Sequence, residues 1–394
     1  MPETQITPDA VLKRQEPLVL FAVFEPVAGL DRFQPAGFPE VGHVIYKAPR
    51  KNGGVENVCI VDSAASMANH LEVLCMRGKC LRGVHDLELV DELQGMPYLR
   101  CVTGHLEDGK LPVEKRQVVV TSLTEGHRIA STYFLEGKTL DGNGEPAAVG
   151  SARSKTAKSK ANEAGKFKDQ LAKEFGIILP GSSKAHPPAD QWWNVFKAIF
   201  RYDPNALVHG VMFPQWQIKI PRFLTAHLEA LGASRVDRSG IKFDRLGETT
   251  SGQPIFAIDD ATAREIRATF ILDTALVQSF GRSNGKTIFG LNDDQKRFLI
   301  ALALWKIKRL CESPFRFRSG CHLKCTRLAL DTGEEVSIDV DIQDAIHNAE
   351  FEDPRVTDVF WPWEELYRDG DDKEKRAKAD TDGNTNGAEE EESE

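Results

Sequence analysis

The 394-residue chain has no long apolar run. In its strongest helical segment the unbroken run goes only from Phe298 to Trp305, far short of the ~20 residues a bilayer-spanning helix needs. The opening MPETQITPDAVLKRQEP has no apolar signal core. H-E-x-x-H is missing, so the sequence shows no zincin site. Paired C-x₂-C knuckles are absent as well. The 7 cysteines are an odd number, which suits reduced thiols in a cytoplasm better than a disulfide framework. Basic residues are also in short supply. There are 50 Lys and Arg against 59 Asp and Glu, a net charge of −9. Taken whole, that balance speaks against nucleic acid, because neutralising phosphates needs a basic surface.

The charge is unevenly spread. Residues 369–394 hold 11 acids and 4 bases with no aromatic or large aliphatic residue. Such a segment cannot bury enough surface to offset its ordering entropy, so a disordered acidic tail is expected there. Residues 1–368 are close to neutral, at a net −2, and are expected to form one elaborated domain. Inside it, SARSKTAKSK (151–160) has four bases and no acid, after the Gly-rich DGNGEPAAVG (141–150). It reads as a solvated flexible loop (about 141–165) or as a loop that touches a polyanion.

What is present is a mixture of strand and helix signals. PLVLFAVF (17–24), NVCIVD (57–62) and RQVVVTS (116–122) read as strands. SAASMANHLEVLC (63–75) has helical spacing, and a helical stretch is expected around EGHRIASTYFL. QWWNVFKAIF (191–200) reads as a helix capped by Asp190. QIKI (217–220) is a short strand. PRFLTAHLEALG reads as a helix, with Pro221 near its start and Gly232 past its end. ATFILDTALVQSF (268–280) is ambiguous. The clearest helix is 293–312, with Asn292 as cap, acids in its first turn, and Lys306, Lys308 and Arg309 near its end. FRFRSGCHLKCTRLAL (315–330) alternates like a strand. The sum is an α+β fold with long insertions.

Several residues could carry chemistry. GRSNGKT (281–287) is one residue short of a P-loop, but Arg282 and Lys286 could still meet phosphates. Cys311, Cys321, His322 and Cys325 lack zinc-knuckle spacing, so buried thiols are favoured over a metal site. His127 and Arg128, in SLTEGHRIAS, have Glu125 near in sequence, but no catalytic triad can be argued around them. Asp203 and His209, in RYDPNALVHGVMF, read as a turn with a locally hydrogen-bonded histidine. In FRFR, period two puts Arg316 and Arg318 on one face and Phe315 and Phe317 on the other. The loop RFQPAGFPEVGHVIYKAPRKNG interleaves Arg32, Lys47 and Arg50 with aromatics, which suits stacking plus phosphate contacts.

Five of these segments, in this order, resemble one family: RFQPAGFPEVGHVIY, VDSAASMANHLE, TSLTEGHRIAS, RYDPNALVHGVMF and FLIALALWKIKRL…FRFRSGCHL. The chain is similar over about residues 17 to 330 to the RAMP backbone subunit of type I-G (formerly I-U) CRISPR Cascade complexes. The resemblance implies a modified RRM, ferredoxin-like core with large insertions. It implies copies assembled head-to-tail along a guide RNA (crRNA), which they hold by its backbone, presenting the spacer to a target DNA strand. It also implies other Cascade subunits as partners, no cofactor and no nuclease activity of its own.

On that basis, RNA contacts are expected from the start of the helix after NVCIVD, where backbone N–H groups favour anions, with Ser63, Ser66 and Asn69. Arg32, Gln34, Lys47, Arg50, His127, Arg128, Arg282, Lys286, Arg316 and Arg318 complete the expected set. Two rival readings are a RAMP subunit that cuts target RNA with a loop carboxylate such as Asp31, and a cytoplasmic metabolic enzyme.

Overall fold

A computed structural model of the chain describes residues 4–38, 42–51, 53–77, 87–141, 143–146, 165–177, 186–236 and 259–366. The basic stretch 151–160 and the acidic tail 369–394 lie outside the described residues.

The central sheet has seven strands: β1 (Leu18–Pro26), β2 (Ile45–Pro49), β3 (Val55–Asp62), β4 (Leu224–Leu231), β5 (Glu265–Leu272), β6 (Phe315–Arg318) and β7 (Cys321–Leu330). Their order in space is β6-β7-β1-β5-β4-β3-β2, and every neighbouring pair is antiparallel. Four helices matter for the site: α1 (Ala64–Val73), α2 (Trp192–Tyr202), α3 (Pro204–His209) and α4 (Asp293–Glu312). Along the chain β1, α1, β4, β5, α4 and β7 form a βαββαβ unit, and its strands stand side by side as β7-β1-β5-β4. That is the ferredoxin-like arrangement. Hairpin β2–β3 widens the sheet at one edge, and β6 closes the other.

Alternation decides which face of the sheet is covered. Leu18, Leu20, Ala22 and Phe24 of β1 are buried, as are Ile266, Ala268, Phe270 and Leu272 of β5, and α1 and α4 pack on the sheet. The intervening Val19, Phe21 and Val23 are only half-buried, and Arg267 lies 4.5 Å from the Phe21 ring. The unbroken apolar run of β1 therefore hides a period of two. Helix α4 is buried almost all round and starts with a capping box. Asn292 accepts from the Gln295 amide at 2.8 Å, while the Gln295 side chain accepts from the Asn292 amide at 3.0 Å.

A second sheet, from the insertions, orders Gln117–Thr121, Tyr98–Thr103, Val356–Phe360 and Lys138–Thr139. Arg100 and Arg116 both bond the buried Asp358 carboxylate, at 2.7 and 2.6 Å, which ties this sheet together.

The structure corrects the reading of PRFLTAHLEALG as a helix: residues 224–231 are strand β4. Leu, Ala and Glu favour helix, but Leu224, Ala226, Leu228 and Ala230 alternate as buried residues between β3 and β5. Pairing on both sides outweighs a propensity of a few tenths of a kcal/mol per residue. Asp190 does not cap α2; a 3₁₀ turn, Ala189–Gln191, leads into it instead. The ambiguous 268–280 region divides into the end of β5 and a short helix, Thr274–Ser279, capped by Asp273.

Candidate nucleic-acid interface

Four of the expected contact residues meet at the C-terminal end of β3. Ser63 caps α1, and its hydroxyl accepts from the Ser66 amide at 3.2 Å. Next to it, the buried Asp62 carboxylate accepts from the Ser63 amide at 2.9 Å and pairs with Arg318 at 3.1 Å and His70 at 2.9 Å. Burial opposes ionising Asp62, but the His70 hydrogen bond and the Arg318 charge outweigh it and hold the carboxyl below its usual range. The anion that a helix N-terminus favours is thus supplied by the protein itself. Arg318 also donates to the carbonyls of Val61 at 2.7 Å and Gln34 at 3.4 Å. A bulge between Arg316 and Arg318 separates the two, so they do not form the expected ladder; Arg316 stays exposed. The β6–β7 turn needs Gly320, with φ of +77°, since a Cβ there would lie 2.7 Å from Gln34 Oε1.

Other expected residues face solvent at the rim. Asn69 is exposed on α1, and Lys47 is exposed on edge strand β2. Arg50 pairs with Glu56 at 2.8 Å, and Arg32 reaches Asp260 at 3.4 Å. GRSNGKT is a hairpin, not a phosphate cradle. Gly281–Ser283 pairs with Ile288–Gly290, and the amides of Lys286 and Thr287 donate to Asn284 Oδ1 at 3.1 and 2.8 Å. What it presents is side chains: exposed Lys286, and Arg282, 5.5 Å from the Trp193 ring and 5.7 Å from Phe289.

His127 and Arg128 are adjacent but face different surroundings. The His127 ring is exposed, 3.0 Å from Glu125. Arg128 is buried, and its guanidinium grips both oxygens of buried Glu72, at 2.6 and 2.8 Å. Around this pair lies a polar network. Asn205 Nδ2 donates to Glu72 at 2.6 Å, buried Lys306 bonds Asn205 Oδ1, and Lys306 Nζ is 2.9 Å from His209 Nε2. Asp203 Oδ2 accepts from the Ile129 amide at 3.2 Å. Burial, chiefly, and then the cations Lys306, Arg128 and Arg222 keep the His209 pKa well below its ordinary value. The expected local turn histidine is in fact bonded to α4. Lys306, near the C-terminal end of that helix, is fully buried. Glu72, Asn205 and Lys306 were absent from the expected site, although two of them had a signal. Glu72 and Lys306 each sit on an apolar stripe, between Ala68 and Cys75 and between Leu302 and Leu310.

Above the network lies a cavity of about 1260 Å³, between segment 125–136 and segment 209–222, with Arg128 and His209 in its wall. Of the candidate metal residues, Cys321 is in the core, His322 is exposed, and Cys325 Sγ donates to the Arg327 carbonyl at 3.5 Å. Among the described residues no three such side chains gather as metal ligands.

These elements define an α+β protein with a ferredoxin-like core and long insertions. Its family is more specific. Residues 18–235, more than half of the chain, match the family model described as CRISPR-associated protein GSU0053, and the chain belongs to that family. No curated protein matches it. No helix among the described residues is long and apolar enough to cross a membrane.

Proposed function

We propose that the chain is a non-enzymatic crRNA-binding subunit of a type I-G Cascade complex. It holds the guide by its backbone and repeats head-to-tail along it in the cytoplasm, presenting the spacer to a target DNA strand. Membership of a CRISPR-associated family across residues 18–235 is the observation that carries this reading, and the RFQP, VDSAAS, TEGHRIAS and RYDPNALVHG segments all lie in that span.

The outward cations support it. Lys47, Arg282, Lys286 and Arg316 are exposed and reach phosphates without reading bases, as a subunit serving any spacer must. A head-to-tail contact that does not close gives a helical filament, whose length the guide would limit. Target-RNA cleavage through Asp31 would need a different chemistry, and an Asp31→Ala variant should leave guide-RNA binding unchanged. The test is to express the full chain with guide RNAs of two lengths. The particle should retain RNA, with a raised 260/280 absorbance ratio, and gain mass in subunit-sized steps as the guide lengthens. A nucleic-acid-free monomer with both guides overturns the reading.

A further inference from the structure

One wall of the cavity carries cations that the fold does not use. Val211–Phe213 and Ile218–Ile220 form a two-stranded hairpin in which Met212 stands opposite Lys219. Opposite residues share a face of the ribbon, and this face is open. Met212 is 57% exposed, Lys219 is exposed, and both line the cavity. Arg222 follows on the same wall, half-buried, and donates to the Ala64 carbonyl at 3.1 Å. Among the described residues neither Lys219 nor Arg222 has a carboxylate partner. The cavity's own acids are engaged elsewhere. Glu125 bonds His127 at 3.0 Å, and Asp169 has a partner of its own. Glu136 is shared by Lys166 at 2.7 Å and Lys168 at 2.9 Å, two cations to one carboxylate. Unspent cations in a concave wall attract an anion more strongly than cations scattered on a convex rim, because the walls focus the field.

The chain carries such an anion close by. Strand Val356–Phe360 of the second sheet leads into Trp361, whose Nε1 donates to the Tyr133 carbonyl at 2.7 Å, and Tyr133 belongs to the opposite wall of the cavity. Leu366, five residues on, is at most about 18 Å of chain from that point. Farther along lies EEEESE (389–394), five carboxylates without a base. The 23 residues from Leu366 to Glu389 span about 35 Å even at the rise of a helix, and more when extended, so the run can reach the cavity. Attachment to the same chain gives it an effective concentration of order mM, at which individually weak ion pairs count.

We infer that this cavity is a docking site for an acidic peptide and that its occupant is residues 389–394 of the same chain, with glutamates pairing with Lys219 and Arg222. Docked there, the run screens the two cations from other anions and is released by salt. The contact does not depend on the guide-RNA reading, and it is measured without nucleic acid.

The experiment uses the nuclease-treated, nucleic-acid-free full chain at low salt. A water-soluble carbodiimide joins a lysine Nζ to a carboxylate touching it as an amide, with loss of water, and mass spectrometry locates the bond. Lys219 should be joined to a glutamate within 389–394. The yield should fall about threefold or more at ~1 M salt, where the Debye length is only ~3 Å. The second readout is the rate of lysine acetylation in the full chain carrying Glu389→Gln, Glu390→Gln, Glu391→Gln, Glu392→Gln and Glu394→Gln. Lys219 should react about threefold faster or more than in the native chain, while Lys47 and Lys286, exposed elsewhere, react as before. No bond from Lys219 to the run, or equal acceleration at all three lysines, overturns the inference. A bond that joins a ¹⁵N-labelled chain to an unlabelled one in a mixture also overturns it, since the occupant is then a second copy.

Discussion

Two sets of cations, the inner network and the outer rim, look alike in sequence and do different things. Arg128 and Lys306 point inward. They are buried and answered by Glu72, Asn205 and His209. Lys47, Arg282, Lys286 and Arg316 point outward and remain exposed. Arg316 and Arg318 make the same contrast two residues apart, because a bulge turns one to solvent and the other onto Asp62. A cation's value to binding depends on which side of the backbone it lands, and charge counting does not register that. Inner cations should govern stability and outer ones affinity.

The largest effect should come from Arg128→Ala. It strands the Glu72 charge in the interior, which costs about 3–5 kcal/mol. Denaturant unfolding should show that loss, and an unchanged midpoint would mean the network is not a folding element. Lys306→Met keeps the length but leaves Asn205 Oδ1 and His209 Nε2 without a donor, at a cost of about 1–3 kcal/mol.

The network should also imprint a pH dependence. Burial above all, then the charge of Glu72, pushes the Asp203 carboxyl up to about 7. The folded chain therefore holds a proton there that the unfolded chain releases near pH 4. Stability from this group is fully present below about pH 4 and is lost as pH rises through 7. Subtracting the Asp203→Asn stability profile from that of the native chain should leave a difference that falls across this window. A flat difference would remove Asp203 from the account.

At the rim, Lys47→Glu with Arg316→Glu should change stability by no more than about 0.5 kcal/mol, as surface substitutions do. It should still reduce the salt slope of RNA binding by about one unit or more. A drop in melting temperature as large as that of Arg128→Ala would erase the distinction between the two sets.

Much of the fold was legible in the sequence, and the reasons differ by element. The 293–312 helix announced itself through Asn292, its first-turn acids and an apolar core, and β1 and β3 through apolar runs; residues 315–330 alternate as expected of a strand, but they fold as two strands, the hairpin β6–β7. Strand β4 was not legible, because its residues favour helix locally and only pairing with β3 and β5 decides otherwise. The site was legible by residue type but not by direction. The motif around His127 and Arg128 was visible, but that Arg128 turns onto Glu72, far away in the chain, depends on how α1 packs. Asp62 was read only as the end of a strand, yet it fills the anion position at the start of α1.

If this chain holds guide RNA by its backbone, as proposed, its affinity should not depend on the spacer sequence. The most direct measurement uses two guide RNAs with a common repeat and spacers that differ at every position, each titrated with the full chain across a range of salt. The two Kd values should agree within about threefold and weaken together as salt rises. A strong preference for one spacer, or affinity that ignores salt, would contradict it.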